Sequence, residues 1–173
     1  MTDRCTEYLV KKVPDSKDKL KKFMVILATA AITAVSILIV LATGFYFVLA
    51  ITMVAFYGAY YLLSEMSVEY EYTFINGEID VDKIIGKRKR ENLVTLDAGK
   101  FEDFGVCDAD MPEKPDATLF LCSDNTGEGE YYADLTTEEY GETRLIFTPS
   151  EKMVSYIEES LSPVLKHRRR NMN

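Results

Sequence analysis

At 173 residues the chain is about one ordinary domain long, and its 20 basic and 28 acidic residues leave a formal net charge of -8. That balance argues against nucleic acid as a partner, which requires a basic footprint. Charge is also unevenly placed. Residues 23–64 hold no Asp, Glu, Lys, Arg or His, so a very apolar block is diluted by a very polar remainder.

Residues 1–22 form a basic leader, with Arg4, Lys11, Lys12, Lys17, Lys19, Lys21 and Lys22 against four acids. The uncharged block that follows is too long for a secretory signal, whose apolar core is roughly 7–15 residues. As a single helix its 42 residues would reach about 63 Å, against a hydrocarbon thickness of about 30 Å. Two spans, over residues 22–42 and 45–64, fit instead, and Gly44 supplies the backbone conformation that closes a helix. The lysines beside the first span place the leader in the cytosol, and a hairpin returns the chain to the same side. A multi-pass plasma-membrane protein with both termini cytosolic is therefore expected. Tyr57, Tyr60 and Tyr61 fall where an interfacial aromatic belt belongs, with Tyr46 near the opposite surface. Thr29, Thr33 and Ser36 share one face of the first helix, and Ala55 and Ala59 give the second a small-residue face, so the two helices are expected to pack there. Residues 23–64 hold no Asp, Glu, Lys, Arg or His to mark a transport path.

Residues 65–166 read as a cytosolic β domain. Val68, Tyr70, Tyr72 and Phe74 alternate with Ser67, Glu69, Glu71 and Thr73, the period of a half-buried strand. Asn76-Gly77 is a hairpin signal, and Ile79, Val81 and Ile85 continue the alternation beyond it. A third strand fits residues 92–96 after a turn at 86–90, and further strands fit 117–123, 130–135 and 143–147. Residues 101–106 fit either a strand or an irregular crossing, and 108–116, with Pro112 and Pro115, an exposed loop. Thr148-Pro149-Ser150-Glu151 predicts a closing helix with Thr at the N-cap, Pro at the first position and Glu at the third. Met153, Ile157, Leu161 and Val164 would form its buried face, with Pro163 kinking or ending it, and residues 167–173 a disordered basic tail.

Little in this sequence points to catalysis. The only histidine, His167, lies in the basic tail, and Gly127-Glu128-Gly129 sits in an acidic hairpin that would repel phosphate. The carboxylates of residues 128–142 lack the alternating spacing of a calcium loop and read as a solvated face. Cys5, Cys107 and Cys122 are odd in number and carry no CxxC, which fits plain thiols in a reducing compartment. No catalytic, cofactor-binding or metal-binding residue is assigned. Lys87, Arg88, Lys89 and Arg90 are the one basic cluster inside the domain. They either touch anionic lipid head groups, at about 1 kcal/mol each near a membrane surface, or form a solvated turn that discourages edge pairing.

Six or seven antiparallel strands before one capping helix, carried by VEYEYTFINGEIDVDKIIGKRKRENL and TRLIFTPSEKMVSYIEESL, resemble the bacterial pleckstrin-homology-like domains that follow paired membrane helices. The leader TEYLVKKVPDSKDKLKK with the hairpin is similar to a family of uncharacterised two-helix membrane proteins of Gram-positive anaerobes. The resemblance implies an α+β membrane protein: a transmembrane α-hairpin, then a small antiparallel β-barrel or sandwich with a C-terminal capping helix. It implies no catalytic residue. The expected function is a non-enzymatic, membrane-anchored binding or scaffold module that engages a protein partner or a second copy of itself. The alternative is an accessory subunit that docks on a larger membrane complex through its hairpin, and a membrane-tethered enzyme ranks last.

Overall fold

The period-two run from Val68 becomes strand β2 (Val68–Ile75), and the leader unexpectedly supplies its neighbour, β1 (Cys5–Lys11). The computed structural model describes residues 4–109 and 111–170, so residues 1–3 of the leader, Asp110 of the proposed loop and residues 171–173 of the tail lie outside the described residues. Between β1 and β2 run the helices α1 (Ser16–Thr43) and α2 (Val48–Glu65). After β2 come β3 (Glu78–Ile85), β4 (Lys89–Asp97), β5 (Asp103–Val106), β6 (Thr118–Leu121), β7 (Tyr131–Thr137), β8 (Gly141–Phe147), α3 (Glu151–Ser160) and α4 (Pro163–Arg170). The chain divides into a β unit, which takes the residues up to Val13, Glu69–Ile84 and those from Arg90 on, and a helical unit of Pro14–Val68 with Ile85–Lys89.

Within the β unit the described strands form two four-stranded sheets, in the orders β1-β2-β3-β4 and β5-β7-β8-β6. They are not closed into a barrel, which corrects the barrel form of the expected fold. The all-antiparallel expectation also fails at one place: β6 runs parallel to β8, with Thr118 opposite Thr143 and Leu121 opposite Ile146. Strand β7 pairs with β8 as a hairpin, and β6 adds to the sheet on the far side of β8.

Turn chemistry sets the register of the first sheet. Asn76 and Gly77 both have positive φ (50° and 106°), the geometry that a two-residue hairpin needs and that Asn-Gly tolerates best. Antiparallel to β2, β1 pairs from Cys5 opposite Ile75 to Lys11 opposite Glu69. Its start is held by Arg4, whose carbonyl accepts from the Asn76 N–H at 3.0 Å and whose guanidinium lies 2.9 Å from Glu159. Beyond it, the Val13 N–H donates to the Asp124 carbonyl at 2.8 Å. The residues read as a leader thus complete the sheet, and Val10 is buried in it.

Tyr72, Phe74, Ile79, Val81, Leu96, Phe104, Leu145 and Phe147 meet in the core, closed by Met153 and Ile157 of α3. Tyr72 pins the two sheets: its ring meets Phe147 edge-on, its hydroxyl donates to the Cys122 carbonyl at 2.5 Å and accepts from the Thr148 N–H. The Thr148 hydroxyl is turned to Asp124, accepting from its N–H at 3.2 Å, so the helix cap sits two residues later than expected. Thr148 is engaged with Tyr72 and Asp124, and Ser150 is the N-cap of α3, accepting from the Met153 N–H at 3.3 Å. Pro163 does end the helix, and it then opens α4 as its first residue, where its missing N–H costs nothing. Met153, Ile157 and Leu161 are buried as expected, but the break shifts the helical phase, so Leu165 is buried in place of Val164, which is 72% exposed. Residues 167–170, expected to be disordered, continue α4.

Burial also predicts how the β unit responds to alkali. Loss of hydration pushes the Cys122 thiol from 9.0 up to about 12 and the Cys107 thiol to about 11, the latter helped by Glu130. The same loss of hydration raises Tyr72 and takes Tyr132 from 10.0 to about 12, with Asp103 adding to the second. Each group is held neutral in the folded state, so its stabilisation is complete below its unfolded value and is lost as pH climbs toward the folded one. The thermal midpoint should be level up to pH 9 and fall steadily above it. A midpoint unchanged through pH 11 in a melting series would contradict these burial effects.

Candidate membrane-surface site

The helical unit is built on the uncharged block. Helix α1 ends where expected: Gly44 takes φ 67° and its N–H donates to the Val40 carbonyl at 2.8 Å. Four residues later α2 begins, so the two helices fold back as an antiparallel hairpin. At about 1.5 Å per residue, α1 is about 42 Å long and α2 about 27 Å. The first turns of α1 therefore extend past a hydrocarbon core of about 30 Å, and it is these turns that carry Lys17, Lys19, Lys21 and Lys22.

Small and hydroxylated side chains form the seam between the helices. Thr29, Thr33 and Ser36 each donate to the carbonyl four residues back, at 2.8 Å, so these three hydroxyls are satisfied within α1. They recur with Val25 and Val40 as the less exposed face of α1, and Ser36 is fully buried. On α2 the corresponding face is Val48, Thr52, Ala55, Ala59 and Leu63. Thr29, Thr33 and Ala59 line one groove of about 640 Å³ along the seam. Thr52, which the sequence reading did not single out, is buried with its hydroxyl unpartnered. Outside the seam, Leu41, Phe47, Met53 and Val54 are each more than 70% exposed. Both helices are long and apolar enough to cross a membrane.

One end of the hairpin is basic. The helical unit includes the turn Ile85–Lys89, so Lys87, Arg88 and Lys89 join the four lysines of α1. That makes seven basic residues in the unit against Asp15, Asp18 and Glu65. At the other end, the connection Gly44-Phe45-Tyr46-Phe47 carries no charge. Four lysines at the start of a helix oppose its dipole, at roughly 0.3–1 kcal/mol per charge near the surface. The helix dipole therefore does not account for them.

The turn is fixed against the end of α2. Gly86 donates its N–H to the Ser67 carbonyl at 2.8 Å, and a Cβ on Gly86 would stand 3.0 Å from the Ser64 carbonyl oxygen. Gly86 and Lys87 both have positive φ, and with Arg88 they close β3 to β4 in three residues. Arg88 then lies over the Tyr61 ring, 5.3 Å from its centroid, and the Tyr61 hydroxyl bonds the Glu65 carboxylate. Tyr61, Glu65, Ile85, Arg88 and Lys89 enclose an open cleft of about 500 Å³.

Of the four basic residues named from the sequence, Arg90 is set apart. It pairs with Glu71 and lies 3.7 Å from Asp82, so its charge is neutralised within the sheet. The reading of residues 128–142 as a solvated acidic face is corrected at one position. Asp134 is completely buried and holds Arg144, its cross-strand partner, through two bonds of 2.6 and 2.8 Å. Arg144 also donates to the Pro112 carbonyl at 2.7 Å and stacks over Tyr132, while Lys114 lies 3.5 Å from Asp134. An Asp in mid-strand between apolar neighbours was the available signal, since burying it there requires a cation.

Among known proteins, the chain matches no curated protein and no solved structure. A protein family described as a bacterial PH-like domain (DUF6106) matches residues 2–165. That span includes β1, both apolar helices, both sheets and α3, so the hairpin belongs to the family's pattern as much as the sheets do. The chain is a member of this bacterial PH-like domain family, and it carries two helices able to cross a membrane.

Proposed function

We propose that the chain is a non-enzymatic, membrane-anchored binding or scaffold module at the cytosolic face of the bacterial plasma membrane, with both termini in the cytosol. The observation that carries this reading is the charge contrast along the hairpin. Seven basic residues gather at the end from which the β unit is reached, and none lies at the apolar tip. Basic residues next to spans are retained on the cytosolic side, so the tip crosses and the β unit stays. Binding rather than catalysis is supported by how the polar groups of the β unit are used. Asp134, Arg144 and Tyr72 are all taken up by structural bonds. A protein partner or a second copy is the binding target this reading favours.

A second reading, an accessory subunit that docks on a larger membrane complex, draws on the apolar seam groove and the buried, unpartnered Thr52 hydroxyl. A helix from a partner could fill such a groove through close packing.

Topology is tested by thiol labelling in intact cells. Cys5 is exposed on β1 and reports the position of the β unit, whereas Cys122 is buried and cannot. With a membrane-impermeant reagent, the variant Tyr46→Cys should label from outside, and Cys5 only after lysis. Labelling of Cys5 in unbroken cells would refute the cytosolic placement.

A further inference from the structure

We propose that the cleft at the end of α2 binds the head group of a phospholipid carrying both a phosphate and a primary ammonium, the chemistry of phosphatidylethanolamine. This rests on the membrane insertion proposed above. The cleft is lined by Tyr61, Glu65, Ile85, Arg88 and Lys89, and its volume of about 500 Å³ lies within the roughly 300–1,000 Å³ usual for small-ligand sites. Tyr61 belongs to the last turn of α2. There a tyrosine sits at head-group depth, with its ring toward the hydrocarbon and its hydroxyl toward water.

The walls carry two cations and one carboxylate, and this combination selects the ligand. Arg88 offers a planar fork of donors suited to a phosphate, and Lys89 adds a second charge beside it. Glu65 discriminates among lipids by what accompanies the phosphate. A primary ammonium gives the carboxylate both a counter-charge and hydrogen-bond donors. The glycerol of phosphatidylglycerol supplies no positive charge, and the quaternary ammonium of phosphatidylcholine has no N–H to donate. Preorganisation favours the same outcome: Arg88 is held by the Tyr61 ring, and the turn by the Gly86 hydrogen bond and its close approach to Ser64.

The test uses the full-length protein in phosphatidylcholine nanodiscs doped equally with phosphatidylethanolamine, with phosphatidylglycerol, or with neither. Lipids that remain bound are counted by native mass spectrometry after release from the disc. Phosphatidylethanolamine should be retained over phosphatidylglycerol by about fivefold, the factor expected for one charge-assisted contact at a membrane surface. Glu65→Gln should abolish the preference without loss of bound phosphatidylglycerol, and Arg88→Gln should lower retention of both lipids. Equal retention by the wild type, or a preference for phosphatidylglycerol, overturns the proposal while leaving the anchor intact. Failure of the protein to enter the discs overturns the anchor itself.

Discussion

Asp134→Ala will destabilise the β unit by about 3–5 kcal/mol, because it strips the partner from a buried guanidinium. Arg144 is nearly inaccessible, and its contacts are Asp134, the Pro112 carbonyl and the Tyr132 ring. A guanidinium is effectively always protonated, so with Asp134 gone the side chain cannot shed its charge to escape the penalty. For a domain of this size the loss corresponds to a thermal midpoint lower by well over about 10 °C. Removing both partners together has a different expected result. Asp134→Leu combined with Arg144→Met leaves no buried charge and should return most of the stability. The 108–116 loop should then loosen, since Arg144 and Lys114 are its ties to the sheet. Melting curves of the two variants in detergent, followed by the near-ultraviolet signal of the tyrosines, decide the matter. A single variant that loses less than about 1 kcal/mol would mean that the pair is effectively solvated.

A soluble β unit will require residues 4–13 as well as those from 68 onward. Replacing residues 14–67 with a short flexible turn should give a monomeric, cooperatively melting protein, because Lys11 and Glu69 are already opposite each other across β1 and β2. Starting the chain at residue 66 instead removes β1, exposes the edge of β2 and uncovers the side on which Val10 packs. Burial of a valine side chain contributes about 1.5–3 kcal/mol. With the lost ladder bonds, the midpoint should drop by about 10 °C or more, or the fragment should fail to fold. Equal midpoints for the two designs would show that β1 merely rests on a self-sufficient sheet. The comparison also bears on anchoring. If β1 is integral, the hairpin is an insertion into a β-hairpin, and the β unit is held by two adjacent strands rather than one linker.

Local signals carried much of this protein. The uncharged run with Gly44, the Asn76-Gly77 turn and the alternation through β2 and β3 each depend only on residues close in sequence. Hydropathy over twenty residues decides a helix able to span a membrane, and two positive-φ residues decide a tight hairpin, whatever the rest of the chain does. The basic turn at Lys87, Arg88 and Lys89 was legible for the same reason. Its seat beside Tyr61 and Glu65 was not, since 22 residues or more separate these positions along the chain.

What tertiary structure alone decided is who covers whom. Thr6, Tyr8 and Val10 alternate as a strand should, yet lysines and a long apolar helix follow them, and only pairing with β2 makes the segment β1. The place of β6 beside β8 and its parallel direction are set by long-range pairing, with β7 on the other side of β8. Ser150 rather than Thr148 caps α3, and the Thr148 hydroxyl is engaged instead with Asp124, 24 residues away in sequence. Asp134 is internal because Arg144 lies directly across the sheet, although its composition reads as acidic surface. In each case the free energy comes from a partner distant in sequence, and a pattern confined to one segment does not contain it.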